Sequence, residues 1–217
     1  MKRVVVCAGG PDSEVAELTE FRNKDTLFIG ADRGALHLLE RGIVPDVAVG
    51  DFDSISKEEY KTIAEAVRIV DSFNSEKDET DTELAVERAL TYNPDQIILT
   101  GVTGGRLDHT ASALHLLYRL QKENPAIRFS ILNPLNELMM INPGTYQLTR
   151  NERLPYVSFF SFGGRVSNLS LSGFKYETTE ATLEMGMTKF TSNELADDLC
   201  TISFHKGICL VVRSSDA

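Results

Sequence analysis

Ile97-Ile98-Leu99-Thr100-Gly101-Val102-Thr103-Gly104-Gly105-Arg106-Leu107-Asp108-His109 is the stretch on which the fold turns. Its branched apolar start reads as a strand over 97–100, which enters a turn rich in Gly and Thr. Beyond the turn, Leu107, Ala111, Leu114 and Tyr118 recur at spacings of three and four, which predicts one face of a helix over 107–122. The same alternation extends outward. Runs at 4–8, 26–31, 47–50, 67–70 and 129–132 read as strands, and 33–41, 57–66 and 81–92 read as helices. Gly42 stands where a helix C-terminus needs a left-handed residue. Strands alternating with helices require crossover connections, so the expected fold is α/β: a Rossmann-like, mostly parallel sheet with flanking helices.

Past residue 135 the helical period disappears. Short strand-like runs at 139–141, 146–149, 157–162, 166–171, 181–183, 201–205 and 209–213 are punctuated by Gly144, Gly163-Gly164, Gly173, Gly186 and Gly207. Many short strands with glycine turns predict a small C-terminal β-sandwich or barrel, of which the sandwich is the expectation taken. Asn133-Pro134-Leu135-Asn136 reads as the linker, dividing an α/β domain over 1–134 from a sandwich over 135–217.

Composition limits the function. The 217 residues carry a net charge of −10, and residues 50–110 hold 14 acidic and 6 basic side chains, most of that excess. A sequence pI near 4.9 disfavours a nucleic-acid partner, which needs clustered Lys and Arg. No apolar run reaches the roughly 18–20 residues of a membrane span. Met1-Lys2-Arg3 precedes only a short apolar stretch that ends in Pro11-Asp12, which reads as a first strand rather than a leader. Cys7, Cys200 and Cys209 form no metal-type cluster and suit buried reduced thiols, so a cytoplasmic location is expected.

Four polar clusters follow predicted strands, and ligands of open α/β sheets gather at strand carboxyl ends. In Gly30-Ala31-Asp32-Arg33-Gly34, glycine allows a close backbone approach to a ligand and Asp32 is either a ligand acceptor or a helix cap. In Gly50-Asp51-Phe52-Asp53-Ser54, an extended backbone would put Asp51 and Asp53 side by side, with Phe52 turned to the core. Such carboxylates repel unless a cation such as Mg²⁺ bridges them, the alternative being a solvated turn. In Lys77-Asp78-Glu79-Thr80-Asp81-Thr82-Glu83, Thr80 and Glu83 have capping-box spacing, and Asp81 falls in the first helical turn. The fourth is the opening stretch. Its Gly104, Gly105 and Arg106 suit a phosphate at a helix start, His109 a nucleotide, and Asp108 a metal site.

No Gly-x-x-x-x-Gly-Lys-Ser/Thr occurs, and Ala8-Gly9-Gly10-Pro11 fits a dinucleotide fingerprint poorly. Five motifs in order do resemble one family. They are Ala31-Asp32-Arg33-Gly34-Ala35, Gly42-Ile43-Val44-Pro45-Asp46, Gly50-Asp51-Phe52-Asp53-Ser54-Ile55, Asp78-Glu79-Thr80-Asp81-Thr82-Glu83-Leu84-Ala85 and Gly104-Gly105-Arg106-Leu107-Asp108-His109. The family is thiamine pyrophosphokinase. Leu171-Ser172-Gly173-Phe174-Lys175-Tyr176 and Thr191-Ser192-Asn193-Glu194 add a fainter echo, with Phe174 for the usual Leu and Tyr176 where many members have Trp.

The resemblance implies transfer of a diphosphoryl group from ATP to thiamine, giving thiamine diphosphate and AMP. It implies Mg²⁺ and phosphate-end carboxylates at Asp51, Asp53, Asp81 and Asp108, with Asp32, Gly104, Gly105, Arg106 and His109 around ATP. Ser172, Tyr176, Ser192 and Asn193 resemble a thiamine wall. It also implies a homodimer with each active site at the subunit interface. Two alternatives stand beside it: a metal-dependent nucleotide hydrolase or phosphatase using Asp51 as nucleophile, and a non-catalytic thiamine or nucleotide sensor.

Overall fold

A computed structural model describes residues 1–73 and 78–216. Lys77, quoted with the third cluster, lies outside the described residues. The chain divides into two compact units, one of residues 1–116 and 126–134, the other of 117–125 and from 135 onward.

The first unit is a parallel sheet in the order β4(Val70–Ser72), β3(Val47–Gly50), β2(Thr26–Ala31), β1(Arg3–Cys7), β5(Gln96–Thr100), β6(Arg128–Leu132). The helices are α1(Gly34–Glu40), α2(Lys57–Ala66), α3(Asp81–Leu90) and α4(Leu107–Glu123). Valine and isoleucine at both faces of β1, β3 and β5 are fully buried, as a sheet covered on both sides demands. The order reverses between β1 and β5, the position at which open α/β sheets form a ligand crevice.

Three expectations shift. The fourth strand begins at Val70 rather than at 67, because Val67 closes α2 with its N–H on the Ile63 carbonyl. The buried stripe of α4 is Ala113, Leu116, Leu117 and Leu120, whereas Leu107 is 83% exposed and Ala111 is exposed. Both sets obey the three-and-four spacing, so periodicity alone does not choose between them. Gly30 and Gly34 serve backbone packing rather than a ligand. A Cβ on Gly30 would lie 2.4 Å from Ala35 Cα, and one on Gly34 would lie 1.9 Å from the Cys7 carbonyl oxygen. Gly42 behaves as expected: φ is +67°, its N–H reaches the Leu39 carbonyl and the Ile43 N–H reaches that of Leu38.

The second unit is antiparallel. The long strand β9(Tyr156–Ser172) is shared by two groups. Its first half pairs with β13(Lys206–Ser214), which pairs with β7(Asn136–Ile141). Its second half pairs with β10(Thr178–Leu183) and β12(Leu199–Phe204), and β12 pairs with β8(Gly144–Thr149). The short β11(Asn193–Glu194) pairs with the start of β9. Phe159, Val166, Leu171, Ile202, Phe204 and Val211 belong to one buried cluster, each large side chain worth about 1.5–3 kcal/mol of burial. Gly163 and Gly164, expected to form a turn between two strands, instead sit inside β9, where the β13 register slips between Lys206 and Ile208. The pair makes a bend that carries one strand from one group to the other. Phe174 is in this core, edge-on to Phe159 at 5.5 Å, so the position that departs from the family pattern is a packing position.

All three cysteines are buried and unbridged, and burial pushes the Cys7 and Cys209 thiols up to about 12. Among the described residues, no helix is long and apolar enough to cross a membrane.

Candidate active site

The parallel strands of the first unit end at one edge, and a cavity of about 400 Å³ lies there. One wall is Ala8, Gly9, Gly10 and Pro11, following β1; another is Gly101, Val102, Thr103 and Gly104, following β5. Two bonds lock these walls together, Ala8 N–H to the Thr100 carbonyl and Gly10 N–H to the Gly101 carbonyl, both 2.8 Å. Ala31, Asp32 and Ser54 come from the ends of β2 and β3, and Thr80, Asp81 and Thr82 from the start of α3. Arg106, His109, Ser112, Ala113 and Leu116 complete the lining from α4 and the turn before it.

Asp32 stands just past β2 with φ +52°, its N–H on the Val49 carbonyl. It is not a side-chain cap for α1, whose N-terminus has none. The Ser54 hydroxyl donates to Asp32 Oδ2, and Asp32 Oδ1 is buried without a hydrogen-bond partner. Burial holds the Asp32 carboxyl above its ordinary range, and although the Ser54 hydroxyl pulls it down, the charges of Asp81, Asp51 and Asp53 raise it further. Three sequence-distant carboxylates therefore converge on a fourth.

The geometry of Asp51 and Asp53 differs from expectation. Phe52 is buried as predicted, but with φ +58° the backbone turns rather than extends. The Asp53 N–H donates to Asp51 Oδ1 at 3.1 Å, an Asx turn in place of two parallel side chains. Thr80 caps α3 by accepting from the Glu83 N–H, leaving Asp81 in the first turn beside the cavity.

Asp108 is engaged elsewhere. Arg106 grips it through Nε and Nη2 at 3.1 and 2.5 Å, and it also accepts from the His109 N–H. The Arg106 guanidinium holds the Asp108 carboxyl below its usual range, and Asp108 keeps Arg106 charged. Asp108 is thus brought to Arg106 rather than to the carboxylates around Asp32. Gly105 adjoins the lining with φ +60° but is not part of it.

The second unit gathers most of the expected thiamine wall. Asn193 is buried, its Oδ1 accepting from the Tyr176 and Glu194 N–H groups while Nδ2 donates to the Tyr176 carbonyl. Its side chain is consumed in clamping Tyr176, a residue 60% exposed, with Lys175 Nζ 5.7 Å from its ring centroid. Ser192 has φ +55° and its N–H donates to Ser158 Oγ. Ser172 is the exposed last residue of β9.

Sequence reasoning passed over three contributors. Gly9-Gly10-Pro11 was set aside for lacking a fingerprint, yet two glycines and a proline directly after a first strand are themselves a loop signal. Ser112 and Leu116 follow His109 at three and seven, the spacing of one helix face. Glu14 Oε2 accepts from Thr103 Oγ1 at 2.8 Å and Asn133 Nδ2 at 3.2 Å, bracing the glycine turn. No local pattern announces that contact, because its partners are 89 and 119 residues away.

A carboxyl whose pKa is higher folded than unfolded lends stability below the unfolded value and loses it as pH rises through the folded value. Asp32 is such a group. In metal-free buffer Asp32→Asn should therefore raise Tm near pH 7, with the gain vanishing below about pH 4. Asparagine tolerates the left-handed backbone and still accepts from Ser54. Thermal melts across that range test this, and an unchanged or lower Tm at neutral pH would contradict it.

The carboxylate set fits a hard divalent cation: all donors are oxygens, they repel one another, and Asp32 Oδ1 is orphaned.

The family models for the thiamin pyrophosphokinase catalytic domain and vitamin B1 binding domain match residues 18–129 and 145–209. The chain is 40% identical to thiamine pyrophosphokinase of Bacillus subtilis (strain 168) over 216 residues, covering both chains fully. The crystal structure of the Bacillus subtilis enzyme superposes with a TM-score of 0.93 at 39% identity, again over both whole chains. That from Geobacillus thermodenitrificans gives 0.89 at 36%, covering 100% of this chain and 99% of the other.

Proposed function

Since the chain belongs to the thiamin pyrophosphokinase family, we propose that it transfers the diphosphoryl group of ATP to the hydroxyl of thiamine, releasing thiamine diphosphate and AMP with Mg²⁺ at the pocket carboxylates. The observation that carries this reading is a cavity lined by Asp32, Asp81, a glycine turn, Arg106 and His109, with the charges of Asp51, Asp53 and Asp81 all acting on Asp32.

Asp51, Asp53 and Asp81 would hold Mg²⁺, which when bound neutralises phosphate charge and polarises the β-phosphoryl group. The chain's own groups do the rest. The backbone of Gly101 to Gly104 lies against the triphosphate, and Arg106, held in orientation by Asp108, supplies a forked cation for it. His109, Ser112 and Leu116 line the nucleoside side. Asp81 or Asp53 takes the proton of the thiamine hydroxyl as it attacks. Tyr176, locked by Asn193, offers an aromatic face to the thiazolium, with Ser172 and Ser192 beside it in the second unit. A homodimer, with the active site shared across the subunit interface, and a cytoplasmic location are part of the same reading.

Product analysis with thiamine, ATP and Mg²⁺ tests it. Thiamine diphosphate and AMP in equal amounts, lost with EDTA, are expected. ADP with thiamine monophosphate would overturn the diphosphoryl step, a trapped phosphate on Asp51 would favour the phosphatase, and bound thiamine without turnover the sensor.

A further inference from the structure

Away from the pocket carboxylates, Asp12, His37 and Glu40 bring three ligand atoms within 4.8 Å of one another. Asp12 opens a single 3-10 turn, Asp12–Glu14, while His37 and Glu40 share one face of α1 at a spacing of three. His37 is the informative member. Its side chain is only 8% exposed, and Nε2 lies 3.0 Å from the Gly10 carbonyl oxygen. A carbonyl only accepts, so Nε2 carries a hydrogen and Nδ1 is the ring nitrogen left to serve as a metal ligand.

That Nδ1 is buried and has no hydrogen-bond partner. It faces Asp12 Oδ1 at 3.4 Å and Glu40 Oε2 at 3.6 Å. Both gaps are too wide for an N–H···O bond, which closes to about 2.7–3.2 Å. They do match the edge of a tetrahedron: two ligands each about 2.0–2.1 Å from a zinc-like ion lie about 3.4 Å apart.

We propose that Asp12, His37 and Glu40 form a second metal site, taking a four-coordinate divalent transition ion of the zinc type with water as fourth ligand. One imidazole and two carboxylates suit such an ion better than Mg²⁺, which prefers six oxygens. The surroundings resemble those of built metal sites: the far nitrogen of the histidine is held by a backbone carbonyl, and Arg41 Nη1 bonds Asp12 Oδ1 at 2.7 Å, fixing a carboxylate that has a further lone pair to offer. The ion would pin the 3-10 turn that follows Pro11 to α1, whose His37 already bonds the Gly10 carbonyl, and so stiffen the 9–11 wall of the cavity.

The test uses the full chain stripped with chelator, then given saturating Mg²⁺ to fill the pocket carboxylates and titrated with Co²⁺, whose visible spectrum distinguishes four-coordinate from six-coordinate sites. Glu40→Gln is the chosen variant because Glu40 is exposed and its loss spares the fold. The expected result is one intense four-coordinate Co²⁺ band per chain, weakened at least about tenfold in affinity by Glu40→Gln and unchanged in Asp81→Asn. Zn²⁺ should raise Tm in the parent and not in Glu40→Gln. A band that survives Glu40→Gln, disappears in Asp81→Asn, or never forms as a four-coordinate spectrum would overturn the site.

Discussion

Asp81→Asn is expected to lower diphosphoryl transfer by about three orders of magnitude while the protein remains folded. The magnitude follows from removing one preorganised charge at a phosphoryl site, commonly worth about 10²–10³ in rate, together with weaker hold on the metal. Asp81 sits in the first turn of α3, where the cap is made by Thr80 and not by Asp81 itself. Asparagine is isosteric there and leaves the Thr80 to Glu83 N–H bond intact. It also removes one of the charges that raise Asp32, so the metal-free variant should melt no lower than the parent. Turnover under saturating ATP, thiamine and Mg²⁺, read beside a thermal melt, decides the matter. Full activity would show that the converging carboxylates do not serve the reaction, and collapse of the fold would show that Asp81 is structural.

Gly34→Ala should produce the largest stability loss of any single-methyl addition in the first unit, about 3 kcal/mol or roughly 6–12 °C in Tm. Its new Cβ would meet the Cys7 carbonyl oxygen at 1.9 Å, the Cys7 carbonyl carbon at 2.5 Å and the Ala8 carbonyl carbon at 2.9 Å. All three are backbone atoms of β1 and its exit, so no rotamer change relieves the clash. Either α1 lifts from the sheet or β1 shifts, and Ala8 lines the cavity at the strand ends. Gly42→Ala is the contrast. Its φ is +67° but its Cβ would meet only Arg22 Nη2 at 3.5 Å, so the cost is the backbone strain alone, about 1–2 kcal/mol. Equal melting losses in the two variants would refute the close-approach account.

Much of this molecule is readable from local pattern. Branched apolar runs alternating with helical segments define β1, β2, β3, β5 and β6 and all four helices to within a few residues, because a doubly covered parallel sheet imposes that composition wherever it occurs. The motifs around Asp32, Asp51, Asp81 and Arg106 are legible for the same reason: each follows a strand, and parallel strands end on one side.

Pairings across long sequence separations are not legible. Nothing local says that α4 buries Leu117 and exposes Leu107, that Asp108 is taken by Arg106, or that Asn193 closes on the Tyr176 backbone 17 residues away. Nor does it say that His37 Nδ1 meets Asp12 across 25 residues. The sequence by itself determined the α/β and β-rich halves, the family and the edge at which the chemistry gathers, because periodicity and turn residues act over a few neighbours. Only the tertiary structure decided which carboxylate is orphaned, which is paired and which glycine cannot change. Burial and charge coupling depend on distances that only packing sets.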